Sequence, residues 1–292
     1  MQVPSHVEYE RATSVEHALA LLGRPDHRVL AGGHSLIPMM KLRLAQPGVL
    51  VDINGLAELA YIRLGSGQLR IGALARHADL LDSNIAGQHF PIFHDAERVV
   101  ADPIVRLWGT IGGSLCQADP SEDLSAVFAA VRATAVIRGR DGAREVPVRE
   151  FHLGPYETVI GPGELLAEIR VPIIPGTGSA YEKVARRVGD WSVAAAGAVL
   201  RLRKQTIKEA GIGLTAVAAE HFVAAEAEDF LRGKPATEEN FGIAAKIAAE
   251  HCRPVPDQRG PEDYKRHLVA ELTTRALRRA AGRAPARAGA KA

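Results

Sequence analysis

Two glycine pairs, far apart in the chain but alike in their surroundings, narrow what this sequence can build. The first lies in Ala31-Gly32-Gly33-His34-Ser35, the second in Thr110-Ile111-Gly112-Gly113-Ser114. Each pair follows an apolar residue, and each segment ends in a hydroxyl side chain. Glycine tolerates positive φ and leaves no Cβ to obstruct a close neighbour. Successive N–H groups in such a turn form a concave anion site, reinforced in the first turn where a helix begins at Ser35. Taken singly, either segment reads equally well as a tight turn. Facing each other, the two suit a diphosphate with two negative charges. No G-x-x-x-x-G-K-[ST] is present, and no G-x-G-x-x-G opens a helix after a strand. The pattern of a P-loop kinase or ATPase, or of an ordinary NAD-binding domain, is therefore missing.

The apolar pattern places these turns in an α+β chain of three lobes, two of them sharing one ligand site. Thr13 and Glu16 have capping-box spacing ahead of Val15, Ala18, Leu19 and Leu22, with Gly23 as the stop. A short strand at 28–31 leads into the first turn, a helix covers 36–44, and 49–53 is a second strand, making a β-α-β unit of residues 1–55. In 56–175, strands are expected at 69–73, 133–138, 145–148 and 165–171, with a helix at 124–131 and a hairpin turn at Arg140-Asp141-Gly142. Pro172, Pro175, Gly176 and Gly178 mark a boundary. Beyond it, 181–187, 193–202 and 207–217 are spaced as an antiparallel meander, and helices follow at 221–231, 238–252 and 261–281.

Composition removes several functions. The formal charge of +2 is uneven: the segment Arg275–Ala292 carries six basic residues and no acidic one, so the rest of the chain has a net charge of −4. The basic balance thus belongs to the C-terminus, with residues 283–292 expected to form a flexible solvated tail, and gives no ground for nucleic-acid binding. Cys116 and Cys252 are the only thiols, too few for a cluster or a four-cysteine zinc site, and Cys116 reads as a small buried residue. The histidines show no H-x-x-x-H pair with a carboxylate partner, so no metal is assigned. Residues 1–10 lack the basic start and apolar core of a secretion signal, and no stretch reaches the ~20 apolar residues of a membrane span, so a cytoplasmic location is expected.

From about Tyr9 to Arg279 the chain resembles the FAD-binding medium subunits of molybdenum hydroxylases, particularly the carbon monoxide dehydrogenase branch. The resemblance rests on Leu30-Ala-Gly-Gly-His-Ser-Leu-Ile-Pro-Met-Met-Lys41, on Ala101-Asp-Pro-Ile-Val-Arg106 leading into Gly109-Thr-Ile-Gly-Gly113, and on Gly163-Glu-Leu-Leu166, Tyr181-Glu-Lys183 and Gly189-Asp-Trp191. It implies a two-lobed FAD-binding domain of the vanillyl-alcohol-oxidase/PCMH-like kind at 1–175 (lobes 1–55 and 56–175). A C-terminal domain of three-stranded antiparallel sheet plus helices would follow at 176–282. It also implies that Ala31, Gly32, Gly33, His34 and Ser35, with Thr110, Ile111, Gly112, Gly113 and Ser114, hold the FAD diphosphate through amides and hydroxyls. Asp123 would then lie near the adenosine ribose, Ile160 and Leu165 would line the adenine or flavin pocket, Lys183 would place a cation near the flavin, and Trp191 would stack on the isoalloxazine. Two positions depart from the family pattern: Ser114 stands where asparagine is common, and Trp191 where tyrosine is common.

The resemblance further implies non-covalent FAD, with molybdenum cofactor and iron–sulfur clusters confined to a large and a small partner subunit. The assembly would be a dimer of heterotrimers, passing electrons to a quinone, and no side chain of this chain would act catalytically on the primary substrate. Carbon monoxide is the first choice of substrate; aldehyde, purine and N-heterocycle hydroxylases carry the same glycine motifs. Two readings of other classes stand beside it: a self-contained flavoprotein oxidase with flavin attached to His34, and a flavin-free scaffold. The residues admit local explanations too. Asp123 suits a helix N-terminus, Trp191 a core position in the meander and Lys183 a solvated strand position, while Asp102-Pro103 with Arg106 suits a turn and helix start.

Overall fold

The computed structural model describes residues 3–218 and 220–284. The N-terminal lobe is a parallel sheet in the order β1-β3-β2, built from β1 (Glu8–Arg11), α1 (Val15–Leu22), β2 (His27–Leu30), α2 (Leu36–Lys41) and β3 (Val49–Asp52). Strand β1, not expected from the sequence, offers little apolar surface. It is held at the sheet edge by pairing with β3 and by Tyr9, whose hydroxyl donates to Asp52 Oδ2 at 2.5 Å. The predicted stripe Val15, Ala18, Leu19 and Leu22 is buried. The cap differs, however: Ser14, not Thr13, is extended, and its Oγ accepts from His17 N at 3.1 Å. Helix α2 stops at Lys41, short of the expected Leu44, because Arg43 turns left-handed at φ +58°.

The second lobe is an antiparallel sheet in the order β4-β5-β10-β6-β7. Strands β4 (Ile62–Gly65) and β5 (Gln68–Gly72) open it. A run of short helices follows: α3 (His77–Asp82), α4 (Asn84–His89), α5 (Pro91–Glu97), α6 (Pro103–Trp108), α7 (Ile111–Gln117) and α8 (Asp123–Ala130). Most are of six or seven residues, started by local devices: Ser83 caps α4, Pro91 and Pro103 sit at first positions, and Asp102 Oδ1 accepts from Val105 N at 2.9 Å. Strands β6 (Thr134–Gly139) and β7 (Gly142–Pro147) close on a two-residue turn at Arg140-Asp141, within the hairpin turn expected at Arg140-Asp141-Gly142. A small hairpin, β8 (His152–Gly154) and β9 (Glu157–Thr158), leads to β10 (Leu165–Pro172), which pairs with β5 on one side and β6 on the other. Phe93, Phe128 and Phe151 fill the core beneath the helices.

The third lobe is the expected meander: β11 (Thr177–Ala185), β12 (Ser192–Arg203) and β13 (Thr206–Thr215), antiparallel in sequence order. It is followed by α9 (Ala225–Leu231), α10 (Glu238–His251) and α11 (Glu262–Arg283). The helix expected from His221 starts four residues later, since His221 itself has φ +49°. Of the tail expected at 283–292, Arg283 ends the last helix and residues 285–292 lie outside the described residues. Helix α11 runs through Arg283, and Arg275, Arg278, Arg279 and Arg283 pair with Glu271, Glu238, Asp95 or Glu182, and Asp95. Arg287 and Lys291 lie outside the described residues.

Helix α8 joins the second and third lobes. All its residues are buried, which the small side chains of Asp123-Leu-Ser-Ala-Val-Phe-Ala-Ala130 permit. Strand β13 approaches it so closely that a Cβ on Gly213 would stand 1.9 Å from Ala126 O, and one on Gly211 2.0 Å from Ala130 O. Glu228 of α9, itself buried, accepts from Arg149, Arg132 and the Ile212 amide, fixing the same junction from the other side. Forcing a side chain into such a contact costs about 1–3 kcal/mol. Gly213→Ala should therefore lower unfolding stability by that amount, read from urea or thermal denaturation, with the secondary structure of the folded state unchanged.

Candidate functional site

The two glycine turns meet. A Cβ on Gly32 would stand 2.3 Å from Trp108 O and 2.8 Å from Gly109 Cα, so the first turn lies directly on the backbone that enters the second. Gly33 has φ +76°, which lets the chain swing from β2 into α2. On the other side α7 touches α2, where Gln117 Nε2 donates to Met39 Sδ at 3.4 Å. A crevice thus runs between the Ala31–Ser35 turn and the start of α7.

Two residues that the sequence reading passed over lock this arrangement. Arg76 donates through Nη1 to Trp108 O at 2.5 Å and through Nη2 to Asn54 Oδ1 at 2.8 Å. Asn54 Nδ2 in turn donates to Ala31 O at 2.7 Å. One guanidinium therefore ties both turns and leaves a positive charge beside them; burial draws its pKa below the usual arginine value, with Asp79 and Asp52 opposing. Asn54-Gly55 is legible as a strand end, but nothing local in the sequence marks Arg76 as its partner.

The turns are not equivalent as anion sites. The N–H groups of Gly32, Gly33, His34 and Ser35 donate to no acceptor among the described residues. In the second turn the amides are already used: Ile111 N donates to Ala75 O, Gly112 N to Ala73 O, Gly113 N to Thr110 Oγ1 and Ser114 N to Thr110 O, all at 2.9–3.0 Å. Gly112 is glycine because a Cβ would stand 2.6 Å from Ala73 Cβ, a packing reason unconnected with any ligand. The amides of the second turn are thus engaged within the chain while those of the first are not, and Ser114 Oγ lies 3.1 Å from His77 Nε2.

The remaining predicted residues fall in different surroundings. Asp123, only 6 % exposed, has both carboxylate oxygens engaged. Oδ1 accepts from Tyr181 Oη (2.6 Å) and Ser192 Oγ (2.8 Å), Oδ2 from Lys183 Nζ (2.7 Å). Lys183 is thus a buried partner of Asp123, not a solvated strand residue, and also donates to Val99 O at 3.2 Å. Helix α8 begins at Asp123, in keeping with its helix-N-terminus reading, and is capped by Glu122, which accepts from the amides of Leu124 and Ser125. Burial pushes the Glu122 carboxyl up to about 7 against those hydrogen bonds. Leu165 is buried in the core of the first lobe, and Ile160 is half-buried at the edge of the second. Trp191 is not a core residue of the meander: it is 44 % exposed. Its loop packs on the start of α6, where a Cβ on Gly189 would stand 3.1 Å from Ala101 O. Helix α6 itself buries none of its residues and exposes Ile104, Leu107 and Trp108. Cys116 packs against the core with its thiol pushed up to about 12 by burial, which suits a packing role.

Open amides at a glycine turn with a cation beside them are chemically suited to an anionic group, and comparison with known proteins supplies the class of protein. Residues 5–174 match the FAD binding domain in molybdopterin dehydrogenase, and residues 179–280 match the CO dehydrogenase flavoprotein C-terminal domain. The chain belongs to the FAD-binding, electron-transferring medium subunits of molybdenum hydroxylases. It is 42% identical to the carbon monoxide dehydrogenase medium chain of Hydrogenophaga pseudoflava, over 94% of this chain and 97% of that one. It is also 37% identical to the glyceraldehyde dehydrogenase medium chain of Sulfolobus acidocaldarius, over 95% and 99%. A solved carbon monoxide dehydrogenase from H. pseudoflava, lacking the Mo-pyranopterin moiety of its cofactor, superposes with a TM-score of 0.94 at 43% identity, covering 97% of this chain and 100% of that one.

Because Gly32 lets the turns touch, a methyl group there must part them. Gly32→Ala is expected to fold, with unchanged far-ultraviolet circular dichroism, yet to weaken FAD binding at least tenfold in a fluorescence titration.

Proposed function

We propose that this chain holds one FAD non-covalently, with the diphosphate seated on the Gly32–Ser35 amides and facing Ser114. The observation that carries this reading is the set of four N–H groups without acceptors, at a turn pinned against the second motif. Unmet backbone donors in a protein interior or crevice are uncommon and are met by ligand or water. Arg76 adds charge where the diphosphate brings two negative charges. Ala31 and Thr110 shape the backbone on either side, Ile111 anchors the second turn, and His34 flanks the first. Trp191 stands exposed where an isoalloxazine ring would gain a stacking partner, and exposed aromatic faces suit that contact. Asp123 and Lys183 act on the cofactor together, as a neutral pair that shapes the wall, with Ile160 and Leu165 behind it.

FAD accepts electrons singly or in pairs, which lets it join one-electron centres to a two-electron acceptor. This chain supplies placement and electrostatics. The electrons come from iron–sulfur clusters of a small subunit, fed by molybdenum in a large subunit, and leave to a quinone. The assembly is a cytoplasmic dimer of heterotrimers oxidising carbon monoxide. Similarity to carbon monoxide dehydrogenase medium chains over nearly the whole length supports that substrate. The glyceraldehyde dehydrogenase relative keeps aldehydes as the next choice, since the substrate is bound elsewhere in such enzymes. The FAD-binding unit spans 1–175 and the C-terminal unit 176–282. Among the described residues no helix is long and apolar enough to cross a membrane.

Purified alone, the chain should show a flavin spectrum and release intact FAD on denaturation. Assembled with its large and small subunits, it should show bleaching of that spectrum by carbon monoxide. Flavin that remained on the denatured chain would indicate attachment at His34, and a folded chain that refused FAD would leave a scaffold. Bleaching by an aldehyde but not by carbon monoxide would move the substrate.

A further inference from the structure

Behind Ser114 stands a hydrogen-bonded chain that the cofactor reading does not use. His77, at the start of α3, is 3 % exposed, and Glu97, at the end of α5, is fully buried. His77 Nδ1 lies 3.0 and 3.1 Å from the two Glu97 oxygens, and His77 Nε2 lies 3.1 Å from Ser114 Oγ. Glu97 has no other hydrogen-bond partner among the described residues. The imidazole is also held from the far side, since a Cβ on Gly109 would stand 2.8 Å from His77 Cδ2. Gly109 is the residue on which Gly32 rests, so the ring, both turns and the crevice share one wall.

We propose that Glu97 and His77 are positioning residues that set which way the Ser114 hydroxyl points, and that they make FAD binding proton-linked. The donor count of each group sets the direction. A buried carboxylate facing one ring nitrogen keeps a proton between them, which leaves Nε2 to choose. With Nε2 protonated, the ring donates to Ser114 Oγ, and the serine proton is free to donate across the crevice to a diphosphate oxygen. With Nε2 bare, Ser114 donates back to the ring and offers the diphosphate only lone pairs. An anion accepts hydrogen bonds and cannot donate them, so it selects the first state. This inference rests on the diphosphate lying opposite Ser114, as proposed above.

The surrounding charges favour the proton. Burial opposes the imidazolium, but Glu97, with Glu122 and Asp123 of α8 behind it, outweighs burial and holds the His77 pKa above the usual histidine value. Burial likewise raises Glu97, opposed by His77 and by Arg106 of α6, while Asp123 adds to it. Lys183 of β11 neutralises part of the Asp123 charge. The sign follows. Both partners hold protons more tightly than free side chains do, so the donor state of Ser114 prevails at low pH and is lost as pH rises through the raised His77 value.

The test is FAD affinity of the full, deflavinated chain, measured by fluorescence titration from pH 6 to pH 9. With one hydrogen bond to a charged acceptor lost, the wild type should bind about tenfold or more weakly at pH 9 than at pH 6. Ser114→Ala, which removes one half-buried hydroxyl, should bind about tenfold more weakly than wild type at pH 6 and show a flat profile. His77→Gln keeps an N–H near the Nε2 position and should hold the low-pH affinity throughout the range. A wild-type profile without slope, or a slope that Ser114→Ala preserves, would overturn the proton link while leaving the cofactor site intact. Failure of the folded wild type to bind FAD at any pH would overturn both. Should His77→Gln not fold, the Ser114→Ala comparison decides alone.

Discussion

The close approach of Gly32 to the Trp108–Gly109 backbone is the contact on which the site depends. It places a turn from a parallel three-stranded lobe against a turn from an antiparallel five-stranded lobe. Neither lobe alone would make the crevice. Arg76 and Asn54 keep the contact in register, through hydrogen bonds of 2.5–2.8 Å to carbonyls and an amide on both sides. Such a bridge holds direction as well as distance, because the guanidinium fork is planar and its donors are fixed. The second turn then has little freedom left. Its amides point back into Ala73, Ala75 and Thr110, which fixes the start of α7 and with it the Ser114 hydroxyl.

Buried ion pairs hold the lobes around this contact. Glu228 gathers Arg149 and Arg132 at the junction of α9 with the second lobe, and Asp123 gathers Lys183 from β11. A buried pair need not add net stability, because desolvation offsets most of its attraction, but removing one partner costs about 3–5 kcal/mol. These pairs therefore act as alignment devices. Lys183 and Asp123 lock the meander to the helix that follows the second turn, which lets residues sixty positions apart shape one wall.

The glycine turns, the two-residue hairpin and the three-strand meander could be read from the sequence because each is specified locally, by Gly-Gly, by Arg140-Asp141-Gly142 and by alternating apolar runs. Helices α3 to α5 and α7 could not be, since six or seven residues carry too little periodicity to register, whereas Asp102-Pro103 marked the start of α6. Strand β1 has charged residues at three of its four positions and exists because β3 pairs with it. The site divides in the same way. Ala31–Ser35 and Thr110–Ser114 were visible as motifs, yet which of them has free amides depends on Ala73 and Ala75, remote in sequence. Lys183 and Asp123 were visible as charged residues, while their pairing was not. Arg76 and the Glu97–His77 pair carry no local mark at all. The arginines of α11 were visible as a basic run while their partners were not: Asp95 of α5, which pairs with Arg279 and Arg283, comes from the second lobe, and Glu182, which pairs with Arg279, comes from β11.

The central claim is that the cofactor is gripped by open backbone amides of the first turn alone. Amide hydrogen exchange of the chain with and without FAD, resolved by mass spectrometry to overlapping peptides, tests it most directly. The account predicts strong new protection over Gly32–Ser35 on FAD binding. It predicts little change over Ile111–Ser114, whose amides are hydrogen-bonded already. Protection that appeared over Ile111–Ser114 while Gly32–Ser35 continued to exchange freely would contradict it.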